Sequence, residues 1–277
     1  KKIPCYGIEP THGTAMAAKE KGIKIIEEFF GEKLALGLKS DGMGADLTAA
    51  NNVLAHVPDI NDFVKGFSIL LNENGVSTFE FPHLLNLVKF NQFDTIYHEH
   101  YSYLSLISVV KIFEKNGLSI FDVDELTTHG GSLRIYAQRS DTGSHEITEK
   151  VNELKAREIE AGISDIEFYT GFQRKAEEVK FNLINFLINA KNNNQKVVAY
   201  GAAAKGNTMM NFAGIRSDLI QYVVDKNPAK QGKFMPGNRI PIENEDRLKR
   251  DNPDYVIILP WNLKNEVVKQ LDYIKKN

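Results

Sequence analysis

Val197-Val198-Ala199-Tyr200 runs straight into Gly201-Ala202-Ala203-Ala204-Lys205-Gly206-Asn207 and on into a helix through Met210. A short apolar run, a glycine-bearing loop and a helix, in that order, read as one βα unit of a parallel sheet. Leu219 to Val224 reads as the next strand, ending at Asp225, and Tyr255 to Leu259 as a third, stopped by Pro260. Glycine lets backbone N–H groups approach a phosphate at a helix N-terminus, and Lys205 adds a positive charge. Asp225 follows Gly201 at roughly the 20-residue interval of the ribose-binding acid in dinucleotide folds, although G-x-G-x-x-G is absent. The loop is a phosphate-loop candidate, and NAD does not follow from it.

The first half keeps a similar rhythm. Tyr6-Gly7-Ile8 closes a short strand before Glu9 and Pro10, Thr11 to Gly22 reads as a helix, and Ile23 to Ile26 as a strand. Ala45 to Val53 is mostly small and apolar, which predicts a buried strand. Pro58-Asp59 opens a helix with Ile60, Phe63, Phe67, Leu70 and Leu71 at helical spacing, and Asn74-Gly75 is expected to end it. Val76 to Phe81 alternates as a strand. Phe113 to Asn116 is a helix end with a glycine stop at Gly117. Leu118 to Val123 and Ser132 to Ala137 read as strands joined by a turn near Gly130-Gly131. The expectation is an α/β fold whose first sheet is mostly parallel with an antiparallel edge. Residues 141–195, rich in Glu, Lys and Asn, keep Phe172, Val179, Leu183 and Phe186 as an apolar stripe and read as a packed helical connector. The expected domains are therefore residues 1–140 and 196–277, with that connector between them.

Length and charge narrow the class. With 277 residues and 42% hydrophobic content, the chain has room for about two domains with real cores. Lys plus Arg number 34 against 36 Asp plus Glu, a net charge of −2. The basic excess needed to track a phosphate backbone is missing, so no nucleic-acid partner is expected. No apolar run approaches the ~20 residues of a membrane span and no secretory signal is visible, so no membrane partner is expected. The single cysteine, Cys5, can form neither an internal disulfide nor a cysteine-based zinc site, which fits a reducing compartment, the cytoplasm.

Four stretches carry candidate chemistry. Glu9 stands at a strand end, where a carboxylate can accept both hydroxyls of a ribose or simply cap the next helix. Asn51 and Asn52, followed by His56, stand at the end of another strand and offer donors and acceptors to the same crevice. The densest cluster is Gln92-Phe93-Asp94-Thr95-Ile96-Tyr97-His98-Glu99-His100-Tyr101-Ser102-Tyr103, with two histidines, one glutamate and three tyrosines in its last seven residues. A metal held by His98, His100 and a third residue such as His83 is conceivable, but H-E-x-x-H spacing is absent, and a histidine general base is favoured. His129-Gly130-Gly131 with Arg134 nearby is either a loop closing over a substrate or a plain hairpin turn.

The stretches GIEP (7–10), NNVLAHVPD (51–59), QFDTIYHEHYSYLS (92–105), THGGSLR (128–134), YGAAAKGN (200–207), DKNPAKQGKFMPG (225–237) and ILPWNL (258–263) occur in this order over nearly the whole chain. Together they resemble the S-adenosylmethionine-dependent sugar C-methyltransferases that act on nucleotide-linked keto-deoxysugars. That resemblance implies a methyltransferase-type Rossmann domain, a helical connector and a second, Rossmann-like domain holding the nucleotide-sugar. The family's N-terminal zinc-binding module, first strand and glycine loop have no counterpart here. The methyltransferase domain is thus N-terminally incomplete, and the chain is expected to be a fragment of a longer one.

The resemblance also implies roles. His100 is the base that removes a proton next to the sugar ketone, with Glu99 orienting it. Tyr97 and His56 hydrogen-bond the ketone oxygen, where negative charge grows, and the enolate attacks the sulfonium methyl without a metal. Glu9, Asn51 and Asn52 match the S-adenosylmethionine contacts. Gly201, Lys205, Gly206 and Asn207 form the expected diphosphate cradle, with Arg134 as a further substrate contact. Two other readings stay open: an NAD-dependent sugar-nucleotide enzyme with Asp225 on the ribose, and a non-catalytic nucleotide-sugar-binding relative.

Overall fold

The computed structural model describes residues 3–276. In chain order it begins with β1 (Tyr6–Ile8), α1 (His12–Glu20), β2 (Lys24–Ile26), α2 (Glu32–Ser40) and β3 (Ala45–Asn51). Then come α3 (Ile60–Leu70), β4 (Leu71–Pro82), α4 (Leu84–Lys89), α5 (Leu106–Lys115), β5 (Leu118–Leu126) and β6 (Ser132–Arg139). Two helices follow, α6 (Glu149–Glu160) and α7 (Phe172–Asn192). The last elements are β7 (Val197–Tyr200), α8 (Ala204–Phe212), β8 (Val223–Val224), β9 (Ile242–Glu243), α9 (Asp246–Asp251), β10 (Tyr255–Ile258) and α10 (Lys264–Gln270).

These elements form two compact units. The first takes the described residues up to Leu84, then Tyr101–Thr127 and Gly131–Ile163; the second takes Leu85–His100, Thr128–Gly130 and the described residues from Ser164 on. The units divide the chain differently from boundaries at 140 and 195, and the reason lies in packing. Helix α6 sends Val151 and Leu154 into the first core, whereas α7 sends Leu187 and Ala190 into the second. Of the expected stripe on α7, Val179 and Phe186 are exposed, because Ala176, Leu187 and Ala190 occupy the buried face instead.

In the first unit the sheet order is β3-β4-β6-β5, with β3 and β4 parallel and the β4–β6 and β6–β5 pairs antiparallel. The sheet is mixed, but two of its three pairings are antiparallel, where a mostly parallel sheet was expected, because β6 inserts between β4 and β5 and runs against both. Its core holds a run of edge-to-face rings, Phe63, Phe67, Phe79 and Phe113, that ties α3 and α5 to β4. Asp59 caps α3 by accepting from the Asn61 and Asp62 N–H groups. β1 and β2 make a separate parallel pair, packed with α2 around Leu38 and Leu70.

Two local expectations change. Helix α3 stops at Leu70, and Asn74-Gly75 lies inside β4, where the pairing register jumps from Ala45↔Leu71 to Leu47↔Val76. The turn signal is thus a bulge in a strand. A Cβ on Gly75 would lie 2.8 Å from the Ala45 carbonyl oxygen, so only glycine fits that approach. β3 is also largely exposed, with Leu47 at 69%, because β4 is its one pairing partner among the described residues.

In the second unit all four strands are parallel in the order β10-β7-β8-β9. β7 is buried along its whole length, as its apolar run requires. The expected strand from Leu219 shrinks to β8, two residues, and the residues before it are not strand. Among the described residues no helix is long and apolar enough to cross a membrane.

Candidate functional site

The second unit carries the histidine cluster. Gln92 begins it, buried, with Nε2 donating to the Gly130 carbonyl at 2.7 Å. Residues Phe93–Thr95 then make one turn of 3-10 helix, closed by the Thr95 N–H and hydroxyl, both donating to the Gln92 carbonyl. That turn aims the buried Thr95 carbonyl at His100, whose Nδ1 lies 2.9 Å away. A carbonyl only accepts, so Nδ1 carries a proton. Tyr97 covers the ring at 4.4 Å between centroids, tilted by 31°. Tyr97 and His100 are half-buried, while His98 and Glu99 are exposed. Thr95 was not singled out from the sequence. Its role rests on a main-chain oxygen, which no side-chain pattern announces.

The same unit ties its C-terminal half to this turn. Trp261 Nε1 donates to Asp94 Oδ2 at 2.7 Å, and Lys205 Nζ sits over the indole at 4.7 Å from its centroid. Lys205 also donates to the His129 carbonyl at 3.0 Å. Burial pulls the Lys205 ammonium below its ordinary pKa, while the Asp94 charge raises it. Burial pushes the Asp94 carboxyl up, against the Trp261 hydrogen bond and the Lys205 charge. Beside this network lies a cavity of about 670 Å³ walled by Phe93, Asp94, Leu183, Met209, Ile257 and Trp261, among others. That volume is in the range of small-molecule sites.

The glycine loop follows β7 as read. Gly201 has φ of 94°, and a Cβ there would meet Pro260 at 2.5 Å; one on Gly206 would meet Leu259 at 2.6 Å. Both glycines therefore allow close packing on the end of β10. Helix α8, with Asn207 in its first turn, has no side-chain cap. Asp225 is held by this loop. It accepts from the Ala202 N–H at 2.8 Å and pairs with Lys230 at 3.3 Å, and these bonds compete with a ribose for the carboxylate.

The first unit holds the other candidates. Glu9 follows β1, and its Oε1 accepts from the Thr11 N–H at 2.8 Å. Asn51 ends β3 opposite Glu80, and Asn52 takes the left-handed conformation at φ 56°, its N–H donating to the Glu80 carbonyl at 2.7 Å. His56, half-buried, closes a 3-10 turn at Leu54–His56. Arg134 lies across from Glu80 on β6 and donates to its buried carboxylate at 2.9 Å, a bond that raises the guanidinium pKa further. His83 is fully buried against Glu158 at 2.7 Å. The Glu9 carboxylate and the Asn51 and Asn52 amide oxygens, beyond the carboxyl ends of β1 and β3, can accept from ribose hydroxyls and an amino group. Glu9, Asn51 and Asn52 fit S-adenosylmethionine in that respect.

Residues 127–277 match the model of the C-methyltransferase C-terminal domain, and the chain belongs to that family. It is 33% identical over 262 residues to C-methyltransferase NovU of Streptomyces niveus, covering 95% of this chain and 62% of that protein. The chain thus spans about three fifths of the curated relative's length. Among solved structures it is similar to a possible histamine N-methyltransferase of Thermotoga maritima, with TM-score 0.38 and 15% identity, over 48% of this chain and 72% of that one. It is also similar to the magnesium protoporphyrin IX methyltransferase of Synechocystis PCC 6803 with bound SAH, with TM-score 0.37 and 19% identity, over 49% and 64% of the two chains.

Proposed function

We propose that this chain carries out the base-catalysed part of an S-adenosylmethionine-dependent C-methylation of a nucleotide-linked keto-deoxysugar. Family membership supports the methyl transfer to carbon. The observation that carries the mechanism is the hydrogen bond from His100 Nδ1 to the Thr95 carbonyl. It places a proton on Nδ1, so Nε2 is the nitrogen assigned to the substrate's proton, and imidazole is the side chain suited to general-base work near neutral pH. The carbon next to a ketone is acidic enough to lose that proton because the enolate spreads its charge onto oxygen. Tyr97 and His56 are assigned to that oxygen, and Glu99 to orienting His100.

When bound, S-adenosylmethionine supplies an electrophilic methyl group, and Glu9, Asn51 and Asn52 are the residues assigned to hold it. In the second unit Gly201, Lys205, Gly206 and Asn207 are assigned to the diphosphate, and the neighbouring cavity is large enough for part of a nucleotide-sugar. Arg134, engaged by Glu80, is assigned to the substrate only by its resemblance to the family motif. The protein is assigned to the cytoplasm.

The test is incubation of the full-length protein with S-adenosylmethionine and a panel of nucleotide-linked 4-keto sugars, read as a mass gain of one methylene. His100→Ala should abolish turnover and leave S-adenosylhomocysteine binding nearly unchanged. Wild-type rates in that variant would remove His100 as the base.

A further inference from the structure

We propose that Glu158 is a positioning residue: one buried carboxylate clamps both ends of the chain excursion that carries His100. The excursion, Leu85–His100, leaves the first unit after Leu84 and rejoins it at Tyr101. Its neck is closed by a parallel bridge between His83 and Leu104, with the Leu84 N–H donating to the Leu104 carbonyl at 2.9 Å. Glu158 reaches this neck from α6. Its Oε1 accepts from His83 Nε2 and from the Leu106 N–H, each at 2.7 Å, and its Oε2 accepts from the Ile107 N–H at 2.8 Å.

Two backbone N–H groups and the His83 ring converge on the two oxygens of Glu158. His83 Nδ1 has no hydrogen-bond partner. The first N–H groups of α5 are all satisfied, because Ser105 and Ser108 cap each other while Glu158 takes Leu106 and Ile107. The helix N-terminus favours the negative charge.

Desolvating a carboxylate at this fully buried site is costly, and three donors converge on it to offset that cost. What the carboxylate adds is a fixed distance between residue 83, where the chain departs, and residues 106–107, where it has returned. His100 lies within seven residues of Ile107, so play in the neck is transmitted along the backbone to the base. Misplacing a catalytic group by about 1 Å can cost on the order of a hundredfold in rate. The consequence for turnover rests on His100 being the base; the clamp itself does not.

The experiment uses the full-length protein and the variants Glu158→Leu and Glu158→Gln. Amide hydrogen exchange over residues 84–107 is measured beside thermal melting and methyl-transfer kinetics. In the wild type, the Leu106 and Ile107 amides should be among the slowest to exchange; loop-like exchange there would overturn the clamp whether or not the variants fold. Glu158→Leu strands the His83 ring and the Leu106 and Ile107 N–H groups, so it should lower the melting temperature. Below that temperature it should exchange tenfold or more faster across 84–107 and lose at least tenfold in kcat with both KM values within about twofold. Glu158→Gln, which keeps an acceptor, should show the same changes to a smaller degree. Unchanged exchange in a folded variant overturns the proposal, and so does faster exchange with unchanged kcat while His100→Ala is dead. If His100→Ala keeps turnover, the base assignment fails, and the exchange data still decide the clamp.

Discussion

The indole Nε1 of Trp261 donates to Oδ2 of Asp94 at 2.7 Å, joining residues 167 positions apart in the second unit. Asp94 sits in the 3-10 turn beside Thr95, whose carbonyl faces the His100 ring, so the ILPWNL stretch supports the turn that holds His100. The bond holds a carboxyl that is 7% exposed, and its titration is readable. Burial raises the Asp94 pKa above its ordinary value. An acid raised in the folded state stabilises the fold fully only below its unfolded pKa, about 3.9, and that contribution is lost as pH rises through the folded value. Asp94→Asn keeps an acceptor for the indole and carries no charge. Its melting temperature relative to wild type should rise as pH increases from about 4 to 7. A flat or falling difference across that range would contradict the assignment.

Gly130 is left-handed at φ 93°, and a Cβ there would lie 2.2 Å from the Trp261 ring. The ring cannot swing away freely because Asp94 holds its nitrogen. Gly130→Ala should therefore destabilise the second unit by about 1–3 kcal/mol through strain and overpacking. Chemical denaturation followed by Trp261 fluorescence measures this, Trp261 being the single tryptophan of the chain.

Phe79 is fully buried on β4 and meets the Phe67 ring at 4.7 Å and the Phe113 ring at 4.9 Å. Phe79→Ala removes the middle of that run and should cost about 3–5 kcal/mol. Loss of the first unit's denaturation transition at lower denaturant, with the second unit's tryptophan signal little changed, is the expected result.

Lys205 separates two roles. If its charge serves the nucleotide-sugar diphosphate, Lys205→Ala raises the KM for that substrate more than it lowers kcat. If it only braces His129 and Trp261, melting temperature falls and KM stays constant. The expected outcome is the first, measured by initial rates at saturating S-adenosylmethionine.

The alternation of strands and helices, the glycine stop before β5 and the strand–loop–helix at Val197 were legible in sequence because they depend on neighbours within one turn or one strand. The phrase Tyr97-His98-Glu99-His100 stood out as a candidate by the density of titratable and aromatic side chains. Asn74-Gly75 misled, since the same pair serves a turn or a bulge, and only the β3 partner decides which. Thr95 was silent because its contribution is a carbonyl oxygen.

Local order along this chain was set by the sequence: element types, the α/β class, and which stretches could do acid–base chemistry. The tertiary structure alone decided the rest. It placed the boundary between α6 and α7, gave Asp225 to the Ala202 amide, and brought Glu158 to the neck between His83 and Leu106. Each of those outcomes depends on which distant donor or apolar face arrives at a given side chain, and a buried polar group takes the partner that folding delivers.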